Sequence, residues 1–211
     1  MRIAMVTETY PPEINGVALT VARVVEGLRS KGHEVQLVRP RQGAQDLDNG
    51  PDASGFEEVL TRGIPIPKYS HLRMGALSKR KLIRLWSIKR PDVVHIATEG
   101  PLGWSALQAA LHLQLPVCSD FRTNFHAYCK HYGMGWLQKP VVAYLRKFHN
   151  RTDCTMVPTE SLRQELQLLG FQDLKVLARG IDTEFFNPSK RSEALRAQWG
   201  AQADTPVVLC V

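Results

Sequence analysis

The sequence predicts an α/β fold: a doubly wound, mainly parallel sheet with helices on both faces. Three observations predict it. Short runs rich in Val, Ile and Met alternate with stretches whose apolar residues recur at helical spacing. The first unit reads strand, glycine-bearing loop, helix, strand, the opening of a parallel series. At 211 residues, 44% hydrophobic and 22% charged, the chain can bury a sizeable core between its layers.

The elements follow in order. Arg2–Thr7 is an apolar run suited to a buried strand, and Tyr10-Pro11-Pro12-Glu13-Ile14-Asn15-Gly16 is a turn. Val17, Val21, Val24, Val25 and Leu28 then recur at helical spacing, and Gly32 stands where a helix ends in a left-handed residue. Glu34–Val38 is a second strand, and the polar, glycine-punctuated stretch 42–55 is a loop. Further on, Asp92–Ala97 is a strand, Leu102–Leu113 a helix opened by Pro101, and Pro116–Ser119 a strand. Lys139–Asn150 is a helix and Cys154–Val157 a strand. A helix carrying Leu162, Leu166 and Leu169 is capped by Gly170 and Phe171, and Leu174–Ala178 is a strand. Glu193–Trp199 is a short helix, and Val207–Val211 carries a buried-strand signature. That last run is expected either to open a second domain or to complete the same sheet.

Charge is unevenly spread. The net charge is +7, yet residues 59–91 hold nine Lys and Arg and no acid, and residues 121–152 hold six and no acid. The two windows read either as a surface that meets anions or as two solvated helix faces. The helix at Lys139–Arg151 interleaves Val141, Tyr144, Leu145 and Phe148 with Arg146 and Lys147. It suits an anionic membrane surface, or its apolar side packs on the sheet.

Several classes are excluded. The longest apolar stretches fall short of the roughly 18 residues that a spanning helix needs, and Met1–Val6 lacks the pattern of a signal peptide. Cys118, Cys129, Cys154 and Cys210 show no paired spacing, which argues for a reducing, cytoplasmic setting. No dinucleotide-binding glycine fingerprint, phosphate-binding P-loop or nucleophile elbow occurs. Asp46 with Asp48, and His126 with Cys129 and His131, lack the partners a metal site requires. No nucleic-acid-binding motif accompanies the basic windows, which leaves a polyanion-binding module as the rival to an enzyme.

In an open parallel sheet, ligands bind beyond the carboxyl ends of the strands. That rule selects Thr7–Val17, Thr98–Leu102, Asp120–Tyr128, Pro158–Ser161 and Arg179–Asp182. Gly16 either lets backbone approach a phosphate at the positive end of the next helix or serves the turn alone. His126 stands among Ser119, Asp120, Arg122, Thr123, Asn124 and Tyr128, where a neutral imidazole can hydrogen-bond a hydroxylated ligand.

Thr9-Tyr10-Pro11-Pro12-Glu13-Ile14-Asn15-Gly16-Val17, Thr123-Asn124-Phe125-His126 and Arg179-Gly180-Ile181-Asp182-Thr183-Glu184-Phe185-Phe186-Asn187-Pro188 occur in that order. Together they resemble the N-terminal half of a retaining family 4 ("group 1") glycosyltransferase of GT-B fold. The likeness is to lipid-modifying members of the sulfoquinovosyl- and mannosyltransferase kind. The resemblance implies a Rossmann-like acceptor-side domain over residues 1–188. Residues 189–211 would then be a linker and the first strand of a C-terminal domain, absent here, that binds the donor. It implies transfer of a sugar from a nucleotide-sugar donor to a lipid or glycan acceptor, with no cofactor and no metal, by an enzyme inactive as these residues alone. His126 is assigned to the transferred sugar, and Gly16, Asn15, Arg179, Gly180 and Asp182 to the donor. Tyr10, Glu99 and Tyr128 are assigned to the acceptor. Nucleic acid is not an expected partner, whereas the inner face of an anionic membrane is.

Overall fold

The structure, a computed structural model, describes residues 1–43, 46, 50, 52–53, 55–66, 69–122 and 135–208, with the backbone alone for residues 66, 69–72 and 135–138. In chain order the elements are β1 (Arg2–Val6), α1 (Gly16–Ser30), β2 (Glu34–Pro40), β3 (Phe56–Thr61) and a hairpin of β4 (Gly63–Ile66) and β5 (Tyr69–Gly75). Then come α2 (Lys79–Ile88), β6 (Val93–Ile96), α3 (Pro101–His112), β7 (Val117–Asp120), α4 (Gly135–His149), β8 (Cys154–Val157), α5 (Glu160–Leu168) and β9 (Leu174–Val176). A 3₁₀ turn (Pro188–Lys190) and α6 (Glu193–Gln198) follow.

Seven strands form one sheet in the order β3-β2-β1-β6-β7-β8-β9, and every neighbouring pair is parallel. The predicted α/β, doubly wound architecture is therefore the observed one. The central strands are apolar on both faces because helices cover both: Ala4, Val6, Val94 and Ile96 pack with α3, while Met5, Val35 and Leu37 pack with α1. Predicted chain reversals also hold. Gly32 and Gly170 take φ of +77° and +84°, and Phe171 is buried beside Leu166 to close the end of α5.

Three elements escape the periodicity reading. Strand β3 carries Glu57 and Glu58 at a sheet edge, where Lys89 and Arg39 neutralise them. The β4–β5 hairpin and α2 lie inside the first basic window. Helix α2 turns Leu82 and Trp86 into the core, Trp86 donating Nε1–H to Gln36 Oε1 at 2.9 Å, while Lys79, Arg80 and Arg84 stay exposed. In α4 the apolar residues Leu145 and Phe148 are buried and Arg146 and Lys147 are exposed, so its apolar side packs on the sheet.

The chain divides into two compact units, Met1–Ala178 and Arg179–Val211. The boundary expected after residue 188 falls inside the second unit. Val207 and Val208 lie in no strand, and residues 209–211 lie outside the described residues.

Candidate functional site at the strand ends

Strands β1 and β6 are neighbours from which the connections diverge to opposite sides, and a doubly wound sheet leaves a crevice at such a point. The loops after these strands are knitted together: Ala97 N–H donates to Val6 O at 2.8 Å, and Glu8 N–H to Thr98 Oγ1 at 2.8 Å. The carboxylate of Glu8 accepts from Leu102 N–H at 2.8 Å, in the first turn of α3, and from Gly75 N–H at 2.5 Å, at the end of the hairpin. Burial raises the Glu8 pKa, with the backbone donors pulling the other way. Sequence reasoning passed over Glu8. The available signal was Gly100, which precedes the Pro101 helix start and has no side chain to cap it.

The loop that follows braces itself around the start of α1. Asn15 Oδ1 accepts from Val17 N–H at 3.1 Å and Ala18 N–H at 2.8 Å, while its Nδ2 donates to Thr9 Oγ1 at 2.6 Å. The Thr9 hydroxyl donates in turn to Glu13. Gly16 is exposed as the first residue of α1, whose first turn contains no acid, while the Glu13 carboxylate lies just before it, 3.5 Å from Asn15 Nδ2. Tyr10 packs against Met5, Val21 and their neighbours, and burial together with Glu58 raises its hydroxyl pKa.

Glu99 belongs to a buried polar chain. Its Oε1 lies 3.2 Å from His149 Nε2, and His149 Nδ1 lies 2.8 Å from Ser119 Oγ, which also reaches Thr152 and Thr155. Tyr144 donates its hydroxyl to the Glu99 carbonyl at 2.5 Å. One oxygen of this predicted acceptor residue is thus engaged internally, by a histidine that periodicity alone placed only as the end of a helix.

A second buried cluster ends β7. Asp120 Oδ2 lies 3.0 Å from His95 Nε2 and accepts from Arg122 Nε–H at 2.6 Å, while Cys118 Sγ lies 3.3 Å from His95 Nδ1. Burial works against the charge on both partners. The hydrogen bond and charge of Asp120, aided by Cys118, nevertheless push His95 up to about 10, and His95 with Arg122 holds Asp120 below its usual range. Among the described residues Asp120 Oδ1 is buried without a hydrogen-bond partner. His126 and Tyr128 follow in residues 123–134, outside the described residues.

The remaining candidates lie in the second unit. Asp182 Oδ1 accepts from Glu184 N–H at 3.1 Å and Phe185 N–H at 2.8 Å, stiffening a turn. Gly180 has open space where a Cβ would stand, and Arg179 is exposed. Asp46, one of the two acids set aside as a metal pair, is an ion-pair partner of Arg39 at 2.6 Å.

A GDP-mannose-dependent alpha-mannosyltransferase of Mycolicibacterium smegmatis is 34% identical over 94% of this chain and 53% of its own length. The sulfoquinovosyl transferase SQD2 of Arabidopsis thaliana is 28% identical over 100% of this chain and 41% of its own length. The chain thus spans about half the length of the curated relatives it matches. Sucrose-phosphate synthase from Thermosynechococcus elongatus superposes with a TM-score of 0.66 at 13% identity, over 96% of this chain and 53% of that one. That likeness is one of fold, the Rossmann-like half of a GT-B architecture. Residues 14–185 match the sequence profile of Glycosyltransferase Family 4, and the chain belongs to that family.

Proposed function

We propose that these residues form the acceptor-side half of a retaining, nucleotide-sugar-dependent glycosyltransferase acting on a lipid or glycan acceptor. The observation that carries the reading is the exposed N-terminus of α1 in the loop after β1, capped by Asn15 and with no acid in its first turn. Glycosyl transfer leaves negative charge on a departing diphosphate, and backbone N–H groups at a helix N-terminus stabilise such charge without a metal. Gly16 lets that diphosphate approach the backbone, and His126 hydrogen-bonds the transferred sugar. Tyr10, Glu99 and Tyr128 are the residues that take the acceptor in this reading. A second α/β domain, as the length of the relatives suggests, supplies most of the donor site. In the retaining reaction the leaving phosphate oxygen itself takes the acceptor's proton, so this half needs no dedicated base.

The enzyme works in the cytoplasm, peripheral to the inner face of an anionic membrane, with the exposed Lys79, Arg80 and Arg84 of α2 as its basic contact. Among the described residues no helix is long and apolar enough to cross a membrane. A nucleic-acid-binding module is the lesser reading, because no observation besides charge favours it.

The test compares this chain alone with the same chain joined to the C-terminal half of the mycolicibacterial relative. Both are supplied with radiolabelled GDP-mannose and extracted lipid. Transfer is expected only from the joined protein. Robust turnover by the chain alone refutes the half-enzyme reading, and tight salt-dependent binding to DNA with no transfer by the joined protein favours the rival.

A further inference from the structure

The four cysteines show no paired spacing in the sequence, yet the sheet sets two of them side by side. Strands β6, β7 and β8 are parallel neighbours, and their register puts His95 beside Cys118 and Cys118 beside Cys154. Residues in register on neighbouring strands point to the same face of a sheet. Val94, Ile96 and Val117, which alternate with them, point into the core shared with α3, so the row of His95, Cys118 and Cys154 occupies the opposite face. Both thiols are free and half-buried.

Within the row the two sulfurs have different surroundings. Asp120 Oδ2 lies 3.0 Å from His95 Nε2 and keeps the ring protonated on both nitrogens near neutral pH. Nδ1–H of that imidazolium therefore donates to Cys118 Sγ at 3.3 Å. A thiolate accepts such a bond better than a thiol does, and the thiolate is the nucleophile. The order carboxylate, imidazole, sulfur is one that activates a thiol for attack. Burial instead pushes the Cys154 thiol up, so it stays protonated. The pair is also within bridging reach. Cα atoms of adjacent strands lie about 4.8 Å apart, inside the roughly 4.4–6.8 Å that a disulfide spans.

We propose that Cys118 is a nucleophilic modification site for low-molecular-weight disulfides of the glutathione kind, with Cys154 as its resolving thiol. The Cys118 thiolate attacks one sulfur of the disulfide R–S–S–R, forming a Cys118–S–S–R bond as R–S⁻ leaves. Cys154 then gives up its proton to solvent and attacks the Cys118 sulfur, forming the Cys118–Cys154 bond as a second R–S⁻ leaves. Two electrons pass from the cysteine pair to the small disulfide, which is reduced to two thiols. The reverse exchange restores both cysteines, which is how a redox-sensing disulfide behaves in a reducing compartment. The exchange does not depend on the glycosyltransferase reading.

The test treats the 211-residue chain with glutathione disulfide, quenches with acid and maps every cysteine by mass spectrometry. In the wild type, Cys118 and Cys154 are expected as one linked pair that retains no glutathione. In Cys154→Ser the glutathione is expected to stay on Cys118. In Cys118→Ser, Cys154 is expected to react at least about tenfold more slowly than Cys118 does in the wild type. Cys118 of the folded wild type is expected to react about tenfold or more faster than in the same chain unfolded in urea. His95→Gln, checked for folding by circular dichroism, is expected to remove that advantage. Because His95 is buried, the comparison with the unfolded chain carries the test independently of that variant. Cys118 that reacts no faster folded than unfolded, or as fast in folded His95→Gln as in the wild type, overturns the proposal. So does glutathione that persists on wild-type Cys118 without linkage to Cys154.

Discussion

Nε2 of His95, on β6, lies 3.0 Å from Oδ2 of Asp120, on β7, in a part of the sheet where both side chains are buried. Across that distance each residue stabilises the charged form of the other. His95 is held near 10, above its ordinary 6.5, so its contribution to stability is complete below pH 6.5 and is lost as the pH climbs toward 10. Asp120 is held below its ordinary 3.8, so its contribution is complete above that value and is lost on acidification. Asp120→Asn is expected to cost about 3 kcal/mol near neutrality, because His95 and Arg122 lose their shared carboxylate. Denaturant unfolding should show the gap to wild type narrowing as the pH approaches 10. A gap that does not change with pH rules out the charged pair.

Glu8 and Gly100 should be energetically coupled. A Cβ at position 100 would overlap the Glu8 carboxylate, which bonds Gly75 and Leu102. Glu8→Ala strands two backbone donors and should cost about 2 kcal/mol, and Gly100→Ala should cost a similar ~2 kcal/mol through overpacking. In the double variant the clash has no partner, so the combined loss should fall at least about 1 kcal/mol short of the sum. Additive losses would mean that the two positions do not communicate.

Asn15 should act by holding Gly16 in place. Its oxygen is committed to Val17 and Ala18 and its nitrogen to Thr9. Asn15→Ala should cost about 1 kcal/mol as a lost helix cap, and Asn15→Ser should restore most of it. In the protein joined to a donor domain, Asn15→Ser should keep KM for the nucleotide-sugar within about threefold. A much larger rise would place Asn15 in contact with the donor.

His126→Ala, in the same joined protein, is expected to lower kcat/KM about a hundredfold while the Tm barely moves. Equal activity at equal stability would remove His126 from the reaction.

Much of the architecture was legible in one dimension. Val17, Val21, Val25 and Leu28 share a helix face whatever lies beyond them, Gly32 and Gly170 meet a local need for positive φ, and Pro101 opens a helix by its own ring. Strand β3 was not legible, because Glu57 and Glu58 interrupt its apolar pattern and their partners Lys89 and Arg39 come together with them only in the fold. Helix α2 was hidden by its own charge. Its four basic residues dominate the string, whereas Leu82 and Trp86 are buried in the core and Ile83 and Leu85 pack beside them.

At the site the division is the same. The strand-end segments could be selected from the sequence because a strand and the loop after it are neighbours in the chain. The partnerships inside them could not. Glu8 meets a donor 94 residues away, His149 meets a glutamate 50 residues away, and His95 meets an aspartate 25 residues away. The sequence by itself determined the alternation of strands and helices and the family, since these rest on local periodicity and contiguous motifs. Only the tertiary structure decided which polar groups are buried together, because the sheet order that sets β1 beside β6 and β6 beside β7 is a property of the packed layers.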